Sequence, residues 1–232
     1  MDFLMFDFLE GEILLIDKPL EWTSFQVVNK VRHEIKNKLG IKKIKVGHAG
    51  TLDPLATGLL ILCTGKKTKT IDQIQQLTKE YTGQIQLGAT TPSFDLETGI
   101  DKNFSIDHLT ENAILAAARK LTGKLSQVPP SFSAKKINGQ RAYAAARKGE
   151  FLKLAPKEIE VFTFQTDCKA LPQVKFRIEC SKGTYIRALA RDLGVETNSG
   201  GHLTMLRRTK IGRYQVENAL TINQICSLIK EN

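Results

Sequence analysis

Apolar and polar residues alternate most strictly between Val174 and Cys180. Val174, Phe176, Ile178 and Cys180 take one side, and Lys175, Arg177 and Glu179 the other. A period of two is that of a strand with one buried face. Tyr81, Gly83, Ile85 and Leu87 share that period and predict a second strand. Two unbroken apolar runs, Ile13–Ile16 and Leu59–Cys63, have the length of strands buried on both faces. The first run closes at Asp17-Lys18-Pro19, an exit turn. Elsewhere the period changes. Val28, Val31, Ile35 and Leu39 recur at helical steps, behind a cap at Thr23 or Ser24 and before a stop at Gly40. Further helices are predicted from Thr110 through Leu115, Ala118 and Leu121 to Gly123, from about Arg141 to Gly149, from Tyr185 to Gly194, and over Ile222–Ile229. Gln127-Val-Pro-Pro-Ser131 must be extended, because a residue that precedes proline avoids the helical region. The mixture predicts an α+β chain.

No Pro/Gly/Ser-rich linker, repeat or low-complexity stretch divides the sequence. One domain over residues 1–232, built around a sheet, is therefore expected; a seam near Asp95–Phe104 is the alternative. A length of 232 residues is ample for a core. The apolar N-terminus carries Asp2, Asp7 and Glu10 and lacks basic residues, so it is not expected to be a signal peptide. No apolar run approaches the roughly 18 residues of a spanning helix. Four cysteines, Cys63, Cys168, Cys180 and Cys226, lie far apart without a CxxC pair. A zinc or redox pair is thus not expected, and reduced thiols suit the cytoplasm.

Charge changes the picture. Lys and Arg number 34 against 24 acids, a net +10. Eleven basic residues and three acids lie between Lys18 and Lys69, and seven basic residues and two acids between Lys182 and Arg213. Asp72 to Glu111, by contrast, holds seven acids and two lysines. Such clustering exceeds what solubility needs and predicts one basic face for a polyanion, with nucleic acid the leading partner.

Inside the basic first third, the stretch from Lys45 to Lys69 contains a single acid, Asp53, in a Gly- and Pro-punctuated loop. Two readings fit it: a turn aspartate before proline, or a lone carboxylate acting as nucleophile or base. His48, five residues earlier, reads either as a structural histidine or as a ring that stacks on a base. Arg187 falls in the first turn of a helix that follows a strand, either on its surface or at a site. Basic and apolar residues alternate from Gly200 to Arg213, which suits an exposed strand gripping phosphates. A phosphate-loop nucleotide enzyme is disfavoured, since no GxxxxGK[ST] is present.

Six segments, in order, resemble one family. They are LLIDKPLEWTS, GHAGTLDPLATGLL, KEYTGQIQLGATTPSFDLETG, VPPSFSAKKINGQRAYAAARKG, CSKGTYIRALARDLG and GGHLTMLRRTKIGRY, spanning about residues 11–214. They resemble the tRNA pseudouridine synthase B (TruB) family, which isomerises a uridine in the T-loop of tRNA, at position 55. The resemblance implies a pseudouridine synthase fold: a mixed, mostly antiparallel central sheet flanked by helices and loops, with a basic RNA-binding cleft. It implies that Asp53 is the catalytic aspartate and Arg187 the arginine that pairs with it. Tyr81 stacks on the target uracil, Tyr185 and Leu206 line its pocket, His48 helps displace the base, and Lys18 lies near the site. The implied partner is the tRNA T-arm, bound by a monomer with no cofactor, no metal and no membrane. Two departures stand out. Phe132 occupies a position where many relatives carry tyrosine, and the 18 residues after Tyr214 are too few for the PUA domain that many relatives append. A catalytic domain without PUA is thus expected. A non-catalytic tRNA-binding or tRNA-folding module would use the same basic surface and aromatics, but would not need Asp53, Tyr81 and Arg187 together.

Overall fold

The computed structural model describes residues 6–132 and 154–231, with two short strands at Lys136–Ile137 and Gln140–Arg141. The chain forms two compact units. One comprises residues up to Tyr81 and from Leu206 onward; the other is Thr82–Met205. These boundaries fall inside strands, not near Asp95–Phe104.

The first unit contains β1 (Ile13–Lys18), α1 (Ser24–Leu39), β2 (Val46–His48), β3 (Ala56–Thr64), α2 (Ile71–Gln76) and the first residues of β4 (Lys79–Leu87). β3 is its central strand. It runs antiparallel to β1, from Ile13↔Cys63 to Lys18↔Gly58, and antiparallel to β2, with His48↔Leu62. Leu59, Ile61 and Cys63 join Ala49, Ile74 and Ile211 in the core of this unit. Full burial of each large apolar side chain stabilises the fold by roughly 1.5–3 kcal/mol relative to exposure. α1 starts where the sequence predicts. Thr23 Oγ1 accepts from Gln26 N–H at 3.1 Å, and Thr23 N–H donates to Gln26 Oε1 at 2.7 Å, a reciprocal capping box. Gly40 ends the helix in the left-handed conformation, φ 62°. Val28, Val31 and Ile35 are buried as expected, whereas Leu39 in the last turn is 40% exposed.

The second unit holds the rest of β4, then β5 (Ala89–Thr90), β6 (Lys102–Asn103), α3 (Glu111–Lys120), β7 (Gly123–Gln127), β8 (Lys136–Ile137), β9 (Gln140–Arg141), β10 (Lys157–Ala170), β11 (Gln173–Cys180), α4 (Ile186–Glu196) and the first half of β12 (Gly201–Ile211). Its main strands follow the order β4-β11-β10-β7. β11 buries Val174, Phe176, Ile178 and Cys180, the four predicted positions. Of the expected stripe, Ala118 and Leu121 are buried and Leu115 is half-buried; Ile114 and Ala117 are buried beside them. The predicted helix near Arg141–Gly149 lies outside the described residues.

The chain returns to the first unit through Leu206–Ile211 of β12, then β13 (Tyr214–Gln215) and α5 (Ile222–Glu231), which packs against α1. In this unit β12 lies beside β3 in parallel, with Leu206↔Ala56, Arg207↔Thr57 and Arg208↔Gly58. The described registers are otherwise antiparallel. The mixed, mostly antiparallel α+β fold is thus the expected one. Among the described residues, no helix is long and apolar enough to cross a membrane. All four cysteines are buried.

Candidate active site

Asp53 sits in the loop between β2 and β3, half-buried. Three buried polar side chains hold the backbone around it. Ser24, the first residue of α1, accepts from Leu52 N–H at 2.9 Å and donates to Leu52 O at 3.1 Å. Lys18, the last residue of β1, donates from Nζ to Pro19 O (2.9 Å), Trp22 O (2.6 Å) and Pro54 O (3.3 Å). Arg208, on β12, donates from Nε to Leu59 O (2.8 Å), from Nη2 to Gly50 O (3.1 Å) and from Nη1 to Thr51 O (3.4 Å). The backbone supplies two more bonds, Ala56 N–H to Asp53 O at 3.1 Å and Glu21 N–H to Pro54 O at 2.9 Å. Every carbonyl from Gly50 to Pro54 therefore accepts a hydrogen bond. A loop so satisfied has little freedom to re-aim the side chain it carries.

β3 makes room for one of these side chains. Gly58 has φ +99°, and a Cβ there would lie 2.3 Å from Arg208 O and 2.9 Å from Arg208 N. Only glycine permits the close parallel approach that brings Arg208 across β3.

Charge is concentrated at this spot. Burial lowers the Lys18 pKa to about 8; the neighbouring Asp53 pushes it back up, and Arg208 lowers it further. His48, half-buried on β2, is also held below the ordinary histidine value, first by burial and then by Arg208, with the Gly50 backbone opposing. Its ring is consequently neutral at physiological pH. Lys18, His48 and Asp53 thus stand in one electrostatic neighbourhood centred on the loop.

Tyr81 and Leu206 belong to the same unit. Tyr81 is buried on β4; Leu206 is half-buried on β12, opposite Ala56, and its carbonyl accepts from Thr57 Oγ1 at 3.4 Å. The structure corrects the reading of the segment from Gly200 to Arg213 as an exposed phosphate-gripping strand. Arg207 makes a bidentate pair with Asp17, at 2.9 and 2.7 Å. Lys210 Nζ lies 3.7 Å from Glu80, and Arg208 is 1% exposed. The alternation is real, but Arg207, Arg208 and Lys210 face protein carboxylates and carbonyls, and of the segment's cations only Arg213, which lies over the Tyr214 ring, is exposed. Exposed lysines cluster instead in the first third, at Lys42, Lys43, Lys45, Lys66, Lys67 and Lys69. A bond from Gly65 N–H to Lys45 O, 2.9 Å, joins their two segments.

Tyr185 and Arg187 lie in the other unit, at the start of α4. Tyr185 is the N-cap, and its backbone is gripped by the buried side chain of Gln127. Tyr185 N–H donates to Gln127 Oε1 at 2.8 Å, and Gln127 Nε2 donates to Tyr185 O at 3.1 Å. Arg187 is buried rather than on the helix surface. It donates to Phe132 O at 2.7 Å and to Ser93 O at 3.1 Å, and its Nε lies 3.6 Å from Asp95 Oδ2. Phe132 thus contributes through its carbonyl, which the change from tyrosine leaves intact. Sequence reasoning missed Ser24, Asp95, Gln127 and Arg208. Asp95 was visible as one acid of a quoted motif at the edge of a possible seam, Ser24 as a possible helix cap, and Gln127 and Arg208 as residues of extended segments.

The sequence matches the description "TruB family pseudouridylate synthase (N terminal domain)" over residues 36–186. This chain belongs to the TruB family of pseudouridylate synthases. Residues 187–232 match the tRNA pseudouridylate synthase B C-terminal domain. Similar proteins named tRNA pseudouridine synthase B occur in Phocaeicola vulgatus (55% identical, covering 93% of this chain and 92% of the relative) and Flavobacterium johnsoniae (54%, covering 93% and 95%). Another, in Parabacteroides distasonis, is 49% identical and covers 97% and 96%. Among solved structures, the Cbf5 chain of a Cbf5-Nop10-Gar1 complex aligns with a TM-score of 0.70 at 25% identity. That alignment covers 95% of this chain and 54% of the other, so this chain spans about half its length. The archaeal box H/ACA sRNP Nop10-Cbf5 complex shares the fold, with a TM-score of 0.66 at 23% identity.

Proposed function

We propose that this protein converts the uridine at position 55 in the T-loop of tRNA to pseudouridine, with Asp53 as the catalytic carboxylate. Isomerisation of uridine to pseudouridine in tRNA is the activity of a TruB enzyme. The reaction breaks the N1–C1′ bond and forms a C5–C1′ bond; C5 gives up a proton and N1 gains one. No atom or electron is exchanged with another reagent. The protein must place one carboxylate at the sugar or base and confine the freed uracil while it turns.

The observation that carries this reading is the loop from Gly50 to Pro54. It presents one carboxylate from a backbone whose carbonyls are all bonded, on a motif that matches the family. Tyr81 is assigned to stacking on the uracil, Leu206 and Tyr185 to the walls of its pocket, and His48 to displacing the base. Lys18 and Arg187 are assigned to the same reaction. A stacked base must be everted to reach the carboxylate, at a cost of a few kcal/mol, which stacking and phosphate contacts offset. The exposed lysines between Lys42 and Lys69 suit those phosphates. The T-arm is the expected contact, the enzyme acts as a monomer, and its four buried thiols suit the reducing cytoplasm.

The test is to incubate the purified chain with an unmodified tRNA transcript and map pseudouridine along it. One new pseudouridine at position 55 is expected. Modification at another position only, or none in the T-loop, contradicts the assignment.

A further inference from the structure

We infer that Arg208 is a positioning residue for the isomerisation, its guanidinium clamping the two ends of the loop that aims Asp53. The inference rests on the assignment of Asp53 to the chemistry. It begins from an expensive choice: a guanidinium at 1% exposure, where an apolar side chain of similar volume would fill the space at less desolvation cost. The charge is directed at backbone. Two of the three acceptors, Gly50 O and Thr51 O, lie at the entry of the Asp53 loop, and the third, Leu59 O, lies on β3 just past its exit. One planar fork therefore ties the segment before Asp53 to the strand after it.

The fork is itself held. Arg208 pairs in parallel with Gly58, whose missing Cβ lets the Arg208 backbone come close. The side chain therefore departs from a fixed strand. The remaining anchors act further along the loop, Ser24 on Leu52 and Lys18 on Pro54. Arg208 reaches the entry side, at Gly50 and Thr51. Lysine does not reproduce it, because Arg208 meets its acceptors with three separate nitrogens of a planar fork, whereas an ammonium carries all its donors on one atom.

The test compares wild type with Arg208→Lys and Ser24→Ala, measuring tRNA affinity, single-turnover rate at saturating tRNA, and hydrogen exchange of the peptide around residues 49–56. For Arg208→Lys, affinity should stay within about threefold while the rate falls roughly 10²-fold, the effect of an ångström-scale misplacement. Exchange in the loop should quicken while the rest of the protein keeps its protection. Ser24→Ala should show a smaller rate loss with the same split. A folded Arg208→Lys protein with wild-type rate overturns the inference, as does a parallel loss of affinity and rate. If Arg208→Lys does not fold, Arg208→Gln, which keeps an amide donor, is read in the same way. Failure of both to fold assigns the residue to folding alone and also overturns the inference. Asp53→Asn is assayed alongside: turnover by that variant would refute the role of Asp53, separately from the clamp.

Discussion

Lys18 offers a quantitative probe of the charge arrangement around Asp53. Its ammonium is 0% exposed, and its pKa falls from 10.5 to about 8 through burial, against the opposing pull of Asp53. Between those two values the unfolded chain binds more protons than the folded one. Stability therefore rises with pH across that window, and the penalty of burying the charge is full only below pH 8. The whole window corresponds to about 3 kcal/mol. Residual solvent screening trims what a comparison of pH 7.5 with pH 10 reads to about 1–2 kcal/mol. Lys18→Met removes this titration and leaves the other ionising groups in place. Urea unfolding of both proteins at the two pH values should show wild type gaining about 1–2 kcal/mol on the variant at the higher pH. Asp53→Asn removes the charge that raises the Lys18 pKa, so in that background the gain should begin at lower pH. Parallel pH dependences for wild type and Lys18→Met would refute the buried charge. An unshifted window in Asp53→Asn would refute its proximity to Asp53.

Arg187→Lys should lower the single-turnover rate by roughly 10²-fold or more, because a lysine lacks the three separate guanidinium nitrogens that face Ser93 O, Phe132 O and Asp95. A rate near wild type in a folded variant would show that the fork is unimportant. Replacing Lys42, Lys43 and Lys67 together by alanine should make tRNA affinity less salt-dependent, reducing the log–log slope by about 2–3. An unchanged slope would place the phosphate contacts elsewhere.

Much of the fold was legible where local signals are strong. The α1 cap and stop, the buried run of β3 and the alternation of β11 each follow from short-range chemistry, and each appears in the structure. β10 was not foreseen, although it is the longest strand described, at 14 residues. Its register shifts between Val161 and Thr163 and again between Asp167 and Ala170, so the period-two pattern breaks twice. The family motifs drew attention to Asp53 and Arg187 and to the residues assigned around them. They did not reveal what holds Asp53 in place. The alternation around Arg207 and Arg208 is compatible with an outward, phosphate-facing row of cations. That one reaches Asp17 and the other three carbonyls depends on β12 lying parallel to β3, a pairing between segments about 150 residues apart. Ser24 was noticed only as a possible cap. Its hydroxyl instead anchors Leu52, 28 residues away.

The central claim is that the Asp53 carboxylate performs the chemistry on a base delivered by tRNA binding. The most direct measurement is single-turnover pseudouridine formation by Asp53→Asn, with tRNA affinity determined on the same preparation. The asparagine preserves shape and a hydrogen-bonding oxygen while removing the charge. The account predicts affinity close to wild type and no pseudouridine above background. Measurable turnover by a sequence-verified Asp53→Asn protein would contradict it.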